Sequence, residues 1–231
     1  MPTAKRSFKK WGWEMIKVEN IDVHGFFNAI RAARNPMSSW SKSDTFYWPD
    51  GTPREDLFPI HKDGNDIDLF HRLYVAGVEH RTYARMIYVW MDITAPLYWW
   101  KEMDRYTIGK SQVSTSTMHK IHAKPFELDD FSHEHLYVDR LSAYCPMEML
   151  KKQIEALNWW RGRYLETKNK SDWWQLIQLL PSSYNQRRSI CMSYEVVFKI
   201  IHERTGHKLT EWETLVEILK NLPYVKEIMN E

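Results

Sequence analysis

Apolar positions in the first hundred residues alternate between strand-like and helix-like spacing. Residues 13–18 predict a first strand, and Asp22 is placed to cap a helix that runs to Arg34, because its apolar residues recur at helical spacing. Residues 66–77 return to the helical period and end on a glycine, where a helix C-cap is expected. The β-branched and aromatic run over residues 86–93 predicts a second, buried strand.

Turn chemistry and proline separate the segments that follow. Residues 37–66 are rich in Ser, Asp, Pro and aromatic residues and predict a long loop or a hairpin. Pro96 suits the first turn of a further helix, which contains paired tryptophans and is predicted to end at Gly109. A polar, hydroxyl-rich stretch then covers residues 111–120.

The second half of the chain is predicted to be helical. Pro146 opens one helix, Asp172 caps another that ends at Pro181, and residues 194–204 form a third. A Thr-x-x-Glu capping box at residues 210–213 starts a last helix.

Composition and charge narrow the class of protein. The 231 residues are 43% apolar, which is enough for a real core and allows one large domain or two small ones. The formal charge is only +2 and no basic stripe is present, so nucleic-acid binding is not expected. Mean hydropathy is −0.58, no apolar run approaches the roughly 18 residues of a membrane span, and no secretory signal is evident. We therefore expect a cytoplasmic protein with no membrane segment.

Aromatic residues are the unusual component, with 12 Trp and 12 Tyr in the chain. Such rings form a Trp-rich core or an oligomer interface, or they stack on a planar ligand, and the sequence leaves these roles open. Cys145 and Cys191 belong to no Cys-x-x-Cys pair, so both are interpreted as buried small residues.

Candidate chemistry is sparse. One short region offers imidazole and carboxylate ligands for a divalent metal, at His119, His122, Asp129, Asp130, His133, Glu134 and His135. Their spacing matches no helix-borne His-Glu-x-x-His and Pro125 interrupts them, so we expect loop histidines and assign no metal site. The sequence contains no glycine-rich phosphate loop and no Gly-x-Ser-x-Gly elbow, which gives no support to Rossmann, P-loop or serine-hydrolase functions.

Hydroxyl groups and guanidinium groups give a weak signal for nucleotide binding. The polar stretch follows the Trp-rich helix, and arginines occur at Arg81, Arg85, Arg105, Arg187, Arg188 and Arg204. Hydroxyls and guanidinium forks suit a phosphate, and indole rings suit a flat base or an isoalloxazine. Arginines on helices usually form a solvated face, so these residues alone identify no ligand.

The order of several short motifs resembles the flavin-dependent thymidylate synthases. Residues 76–81, Ala-Gly-Val-Glu-His-Arg, precede a strand, a helix with paired Trp and a Ser-rich segment in the order of that family. Downstream, the Leu-Pro at residues 180–181, the helix ending at Arg204 and the Glu-Trp at residues 211–212 are similar to further family motifs. Residues 29–34, Ala-Ile-Arg-Ala-Ala-Arg, are similar to its N-terminal helix. The resemblance covers most of the chain.

The family's Arg-His-Arg signature is missing. Alignment on Ser114 places it on residues 104–106, which read Asp-Arg-Tyr, and alignment on the paired tryptophans places it on residues 101–103, which read Lys-Glu-Met. Of two family arginines downstream of the Leu-Pro, one falls on Glu195 and the other on Arg204. The chain therefore resembles a divergent member that keeps one of the two.

The resemblance implies an α+β fold with a central, mostly antiparallel sheet flanked by helices, a helical C-terminal half and a single domain over residues 1–231. It also implies a homotetramer with ligand sites between subunits. In the family, reduced FAD passes a methylene group from methylene-tetrahydrofolate to dUMP, and NADPH is the reductant. The resemblance gives Arg204 a catalytic role and suggests substrate contacts at Ser114, Ser116, Arg105 and Arg204. It suggests cofactor contacts at His80, Arg81, Trp99, Trp100 and Lys101.

Because the signature is altered, we expect FAD to bind only weakly. Asp104 or Glu102 would repel flavin phosphates, whereas cations nearby in the sequence compensate, at Lys101, Arg105, Lys110 and Lys120. The alternative is a non-catalytic relative that keeps the oligomeric fold as a binding or interaction module, because a fold alone does not fix a function.

Overall fold

A four-stranded antiparallel sheet flanked by helices organises the chain. The computed structural model describes residues 16–48, 50–53, 60–138 and 144–230. Within these ranges the strands are β1 (Lys17–His24), β2 (Tyr88–Pro96), β3 (Lys110–Ser114) and β4 (Asn185–Ser193). They lie in the spatial order β1-β2-β4-β3, and each pairing is antiparallel. The α+β fold expected from the resemblance is confirmed.

Helices account for most of the remaining described residues. In chain order they are α1 (Phe26–Arg34), α2 (Asn65–Ala76), α3 (Leu97–Met103), α4 (Thr117–Lys120), α5 (Pro146–Thr167), α6 (Lys170–Leu179), α7 (Tyr194–Arg204), α8 (Thr210–Lys220) and α9 (Val225–Met229). A run of 3-10 turns over Val78–Met86 leads into β2. The predicted helices over residues 66–77 and 194–204 are confirmed.

Strand β2 shows why one face of the sheet is covered and the other open. Val89, Met91 and Ile93 are buried, whereas Tyr88 and Trp90 are exposed. Strand side chains point alternately to the two faces, so the buried set faces the helices and the exposed set lies on an open face. The strand predicted over residues 86–93 is confirmed, with its bounds shifted toward the C-terminus.

Tryptophans fill the core between the sheet and the helices. Trp99 and Trp100 of α3 and Trp212 of α8 are fully buried. The ring centroid of Trp99 lies 4.8 Å from that of Trp100 and 4.7 Å from that of Trp212. Each such pair contributes about 0.5–1.5 kcal/mol beyond the burial of its area. Part of the aromatic excess therefore belongs to the core.

Helices α5 and α6 form a smaller core with the segment after α4. Leu157 of α5 and Leu176 of α6 are fully buried and lie in one cluster with Phe131. Phe131 also makes an isolated antiparallel bridge to Tyr184, next to the start of β4. Phe131 therefore connects this helical pair to the segment that leads into β4.

Two strands lie where the sequence predicted none. Strand β3 falls in the polar stretch over residues 111–120, and β4 interrupts the half predicted to be helical. Only Ile190 and Met192 give β4 an alternating apolar signal. The strand is stable because it pairs with β2 on one side and β3 on the other, which is a tertiary effect rather than a local propensity.

The start of α1 differs from the prediction. Asp22 lies within β1, opposite Trp90, so the predicted helix cap at Asp22 is wrong. The chain turns instead at Gly25, whose φ is 104° and where a Cβ would come within 2.2 Å of the carbonyl oxygen of Met86. Only glycine tolerates both the left-handed backbone and that approach. Residues 13–15 of the predicted first strand lie outside the described residues.

Two other boundaries also differ. Helix α3 ends at Met103, six residues before Gly109, so the charged residues that follow belong to a turn. Helix α8 begins at Thr210 with Leu209 as its N-cap, and no side chain caps it. The helix itself is confirmed, but the capping box predicted for it does not form.

A buried ion pair fixes α1 to α2. Asp66 of α2 accepts hydrogen bonds from Arg34 Nε at 2.7 Å, from Ser43 Oγ at 2.7 Å and from the backbone N–H of Thr45 at 3.1 Å. The side chains of Arg34 and Asp66 are 5% and 0% exposed. Burial on its own would raise the pKa of Asp66, but the hydrogen bonds from Thr45 and Ser43 hold it below its usual value.

We predict that Asp66→Asn destabilises the protein by about 3 kcal/mol near neutral pH, because Arg34 is left as an uncompensated buried charge. Urea denaturation measures the change. The matched control is Asp68→Asn on the same helix, since Asp68 pairs with Arg72 in solvent and its loss is worth at most about 0.5 kcal/mol. A carboxyl group whose pKa is lowered by folding stabilises the protein at pH values above its unfolded-state pKa. The difference in unfolding free energy between the wild type and Asp66→Asn should therefore shrink below about pH 4. Equal effects of the two substitutions would contradict the assignment.

Candidate functional site

Helix α3 continues directly from the central strand and carries acidic residues at its end. Pro96 closes β2 in an extended conformation and serves as the N-cap of α3. Proline is tolerated there because a helix start leaves its first N–H groups unpaired in any case. The apolar side of α3 lies in the core, which leaves Glu102 and Asp104 at its border with α7 and β4.

The first charged cluster surrounds Arg204 at the end of α7. Arg204 Nη1 lies 2.7 Å from Glu102 Oε2, and its Nε donates to the hydroxyl of Tyr106 at 2.9 Å. The guanidinium carbon lies 4.4 Å from the ring centroid of Trp212, whose Nε1 also donates to Glu102 Oε2 at 3.0 Å. His207 Nε2 is 3.0 Å from Arg204 Nη1.

These contacts make Arg204 a neutralised, largely buried cation. The residue is 8% exposed, and Glu102 supplies the opposite charge. An anion that approaches Arg204 competes with Glu102 for the guanidinium group. The structure therefore places Arg204, the candidate catalytic residue, in a packed cluster where Glu102 already pairs with it.

The second charged cluster lies at the β3–β4 side of α3. Arg188 of β4 donates from Nη1 to Asp104 Oδ1 at 2.8 Å, and its guanidinium carbon lies 4.3 Å from the ring centroid of Trp100. Gln112 of β3 donates to the same oxygen at 2.7 Å, and Lys110 Nζ lies 3.9 Å from it. Burial lowers the pKa of Lys110, and neighbouring Arg188 acts in the same direction.

The remaining substrate candidates lie around this second cluster. Ser114 is the register partner of Arg188, so both side chains lie on the same face of the sheet. Ser116 is the N-cap of α4, and its hydroxyl accepts the backbone N–H of His119 at 3.0 Å. Arg105 is exposed and follows Asp104 directly. Ser114 and Arg105 thus neighbour Arg188 and Asp104 of the second cluster, whereas Arg204 belongs to the first.

The cofactor candidates divide between two regions. Lys101 is exposed on α3, next to Glu102 in the sequence. His80 and Arg81 belong to the 3-10 run before β2, where Arg81 donates to the carbonyl of Tyr74 at 3.0 Å and stacks on its ring. This run packs against α7, and Glu195 in the first turn of that helix interacts electrostatically with Arg81. Arg204 ends the same helix, about 14 Å from Glu195 by helical rise.

Trp99 and Trp100 are core residues in this structure. Both are fully buried, with Trp99 between Trp100 and Trp212 and with Arg188 over Trp100. A flavin ring could stack on them only after Arg188 or α3 moved. Their role in cofactor binding stays a prediction.

The sequence did not predict which carboxylates pair with the arginines of the two clusters. Glu102 and Asp104 were expected to repel ligand phosphates, and their pairing with Arg204 and Arg188 was not foreseen. Glu102 and Arg204 are 102 positions apart, so no local pattern could have joined them.

A further polar network lies between α3, α8 and the loop that carries the predicted metal candidates. The hydroxyl of Tyr98 donates to Glu211 and lies 3.0 Å from Ser132 Oγ, which donates to Glu134 at 2.9 Å. Burial and the bond to Glu211 raise the pKa of Tyr98. Among the described residues no group of His, Cys, Asp and Glu side chains is arranged to hold a metal ion.

Within the described part of the chain, no helix combines the length and apolar character needed to cross a membrane. No protein-family model matches the sequence, and no curated protein does.

Solved structures do match. One is the flavin-dependent thymidylate synthase ThyX of Helicobacter pylori complexed with FAD and dUMP, with a TM-score of 0.62 and 17% identity over 94% of this chain and 98% of that one. A second structure of ThyX from the same organism with FAD and dUMP gives a TM-score of 0.62 and 16% identity, over 94% of this chain and 96% of that one. This protein therefore has the fold of the flavin-dependent thymidylate synthase ThyX.

Proposed function

We propose that this chain is a divergent protein of the flavin-dependent thymidylate synthase type that binds a pyrimidine deoxynucleotide such as dUMP. The observation that carries the proposal is the match over nearly the full length of both chains to structures containing FAD and dUMP. The charged clusters at the end of α3 support it, since they offer guanidinium, ammonium and hydroxyl groups to an anionic ligand.

In this proposal Arg204 contacts the base or the phosphate, together with Ser114, Ser116 and Arg105. The fork of a guanidinium group suits both a pyrimidine carbonyl and a phosphate oxygen. The ring of Trp212 packs against the guanidinium group of Arg204, and the hydroxyl of Tyr106 accepts a hydrogen bond from its Nε, so both side chains hold the group in place. Binding then requires Glu102 to yield part of its contact with Arg204.

FAD fits the described residues in part. Lys101 and Arg105 are exposed and able to meet a diphosphate, whereas the indole rings of Trp99 and Trp100 are covered. We therefore propose weak FAD binding that also draws on His80 and Arg81, in a site formed between subunits. When bound, FAD would supply hydride chemistry. Methylene-tetrahydrofolate and NADPH belong to the proposal only if thymidylate synthesis is retained.

A non-catalytic binding module is the second candidate. It is favoured by the pairing of Arg204 with Glu102 and of Arg188 with Asp104, because both cations are already satisfied within the chain. A protein of this kind would keep the fold and the assembly while lacking the methylation reaction.

The proposal includes a single domain over residues 1–231, a cytoplasmic location and assembly into a homotetramer. The open face of the sheet supports self-association. Trp90 is 54% exposed and Val113 is 76% exposed there, beside a mixed-charge group of Glu19, Asp92 and Arg187. Apolar side chains ringed by both signs of charge suit a self-complementary interface.

Arg204→Ala should weaken dUMP binding roughly ten-fold or more, the effect expected for one charge-assisted hydrogen bond. Glu102→Gln should act in the opposite direction, because it frees the guanidinium group. Isothermal titration calorimetry with dUMP measures both, at a temperature where thermal unfolding shows each variant to be folded. If dUMP binds wild type and Arg204→Ala equally, or binds neither, the assignment of Arg204 is wrong.

Purified protein should show weak flavin absorbance that rises on titration with FAD, with slow or absent rescue of a thymidine-requiring host. The physical reason is that Glu102 and Asp104 already neutralise Arg204 and Arg188, so a flavin phosphate must compete with a carboxylate for each guanidinium group. Spectrophotometry and complementation are the two measurements. Absence of bound flavin at saturating FAD supports the non-catalytic module, and full rescue shows that the altered signature supports catalysis.

Light scattering at micromolar protein should give the mass of a homotetramer. Trp90→Glu on the open sheet face should lower that mass, because it places a charge in the proposed interface, and Trp159→Glu on exposed α5 serves as the control. A monomeric wild-type protein would rule out the assembly.

A further inference from the structure

Two hydrogen-bond donors and one nearby ammonium group surround a single carboxylate oxygen just after the end of α3. Asp104 Oδ1 accepts from Arg188 Nη1 at 2.8 Å and from Gln112 Nε2 at 2.7 Å, and Lys110 Nζ lies 3.9 Å away. The donors come from β3 and β4, whereas the acceptor comes from the turn after α3. Two adjacent strands thus present a guanidinium, an ammonium and an amide group to a single oxygen position.

The donors are fixed by contacts other than Asp104. Lys110 Nζ donates to the carbonyl of Met103 at 3.1 Å and to Gln112 Oε1 at 3.0 Å. Arg188 Nε donates to Gln186 Oε1 at 3.0 Å, and its guanidinium lies over the ring of Trp100. These contacts keep the two cations in place when the carboxylate is elsewhere.

Exposure differs sharply between the partners. The side chains of Lys110 and Arg188 are 4% and 12% exposed, whereas that of Asp104 is 43% exposed. The carboxylate is therefore the member of the cluster that is free to leave. Two largely buried cations face one carboxylate, so the cluster keeps an excess of one positive charge.

We propose that this cluster is a phosphate-binding site in which Asp104 occupies the position of a phosphate oxygen until a ligand replaces it. A phosphate monoester carries more negative charge than a carboxylate and offers three terminal oxygens, so it satisfies Arg188 and Lys110 more completely. Ser114, the register partner of Arg188, adds a hydroxyl on the same face. The inference rests on the proposed function only for the identity of the molecule that carries the phosphate.

The test titrates the full-length protein with inorganic phosphate by isothermal calorimetry. Asp104→Asn should bind phosphate about ten-fold more tightly than wild type, because the competing charge is gone. Asp68→Asn is the matched control, since Asp68 forms an exposed ion pair with Arg72 at 2.9 Å on α2, outside the cluster, and its loss should leave phosphate affinity unchanged. Lys110→Gln in the Asp104→Asn background should lose the gained affinity, with thermal unfolding as the check on folding.

Equal gains from Asp104→Asn and Asp68→Asn would show a general charge effect and overturn the site. Absence of phosphate binding in Asp104→Asn would overturn it as well, as would full affinity in a folded variant that carries both Asp104→Asn and Lys110→Gln. Titrations with dUMP, deoxyuridine and FAD identify the source of the phosphate, because only a ligand that uses this site responds to Asp104→Asn. If phosphate affinity changes with the substitutions at Asp104 and Lys110 but dUMP does not bind, the phosphate site stands and the proposed nucleotide function is rejected.

Discussion

The antiparallel pairing of β2 with β4 determines where the charged residues of the protein meet. The register runs without interruption from Tyr88 opposite Ser193 to Pro96 opposite Asn185. Helix α3 continues β2 and α7 continues β4, so the two helices leave the sheet from opposite ends. The end of α3 then meets the end of α7, which brings Glu102 to Arg204. The same pairing sets Arg188 against Trp100 and Asp104.

Each of these arginines is matched by one carboxylate of α3 or its C-cap. A largely buried cation is costly to desolvate unless a partner and hydrogen bonds compensate it, and Glu102 and Asp104 supply that compensation. An anionic ligand at either cluster gains the attraction of a cation but displaces a carboxylate. In the proposed function, ligand binding would exchange one anion for another. The side chain of Asp104 is 43% exposed and that of Glu102 is 31% exposed, so Asp104 is the more accessible of the two carboxylates.

The likeness to ThyX defines the scaffold, and this chain's own side chains define the chemistry. At 17% identity the match shows a shared fold, and folds of this kind carry different functions when their sites change. At the end of α3 this chain holds paired charges, Glu102 with Arg204 and Asp104 with Arg188.

The spacing of apolar residues within a segment was enough to predict those helices and strands that depend mainly on their own local sequence. Residues 66–77 and 194–204 carry their own helical period, and residues 86–93 carry the β-branched composition of a buried strand, so the sequence predicted all three. Strand β4 and the cap of α1 were decided by tertiary structure, since β4 depends on its neighbours and Gly25 on the nearby backbone of Met86. The candidate cations were visible in the sequence, but their partners were not. Glu102 and Arg204 are 102 positions apart and meet only because the β2–β4 register brings α3 and α7 together. Residue spacing along the chain does not predict a contact over such a distance in sequence.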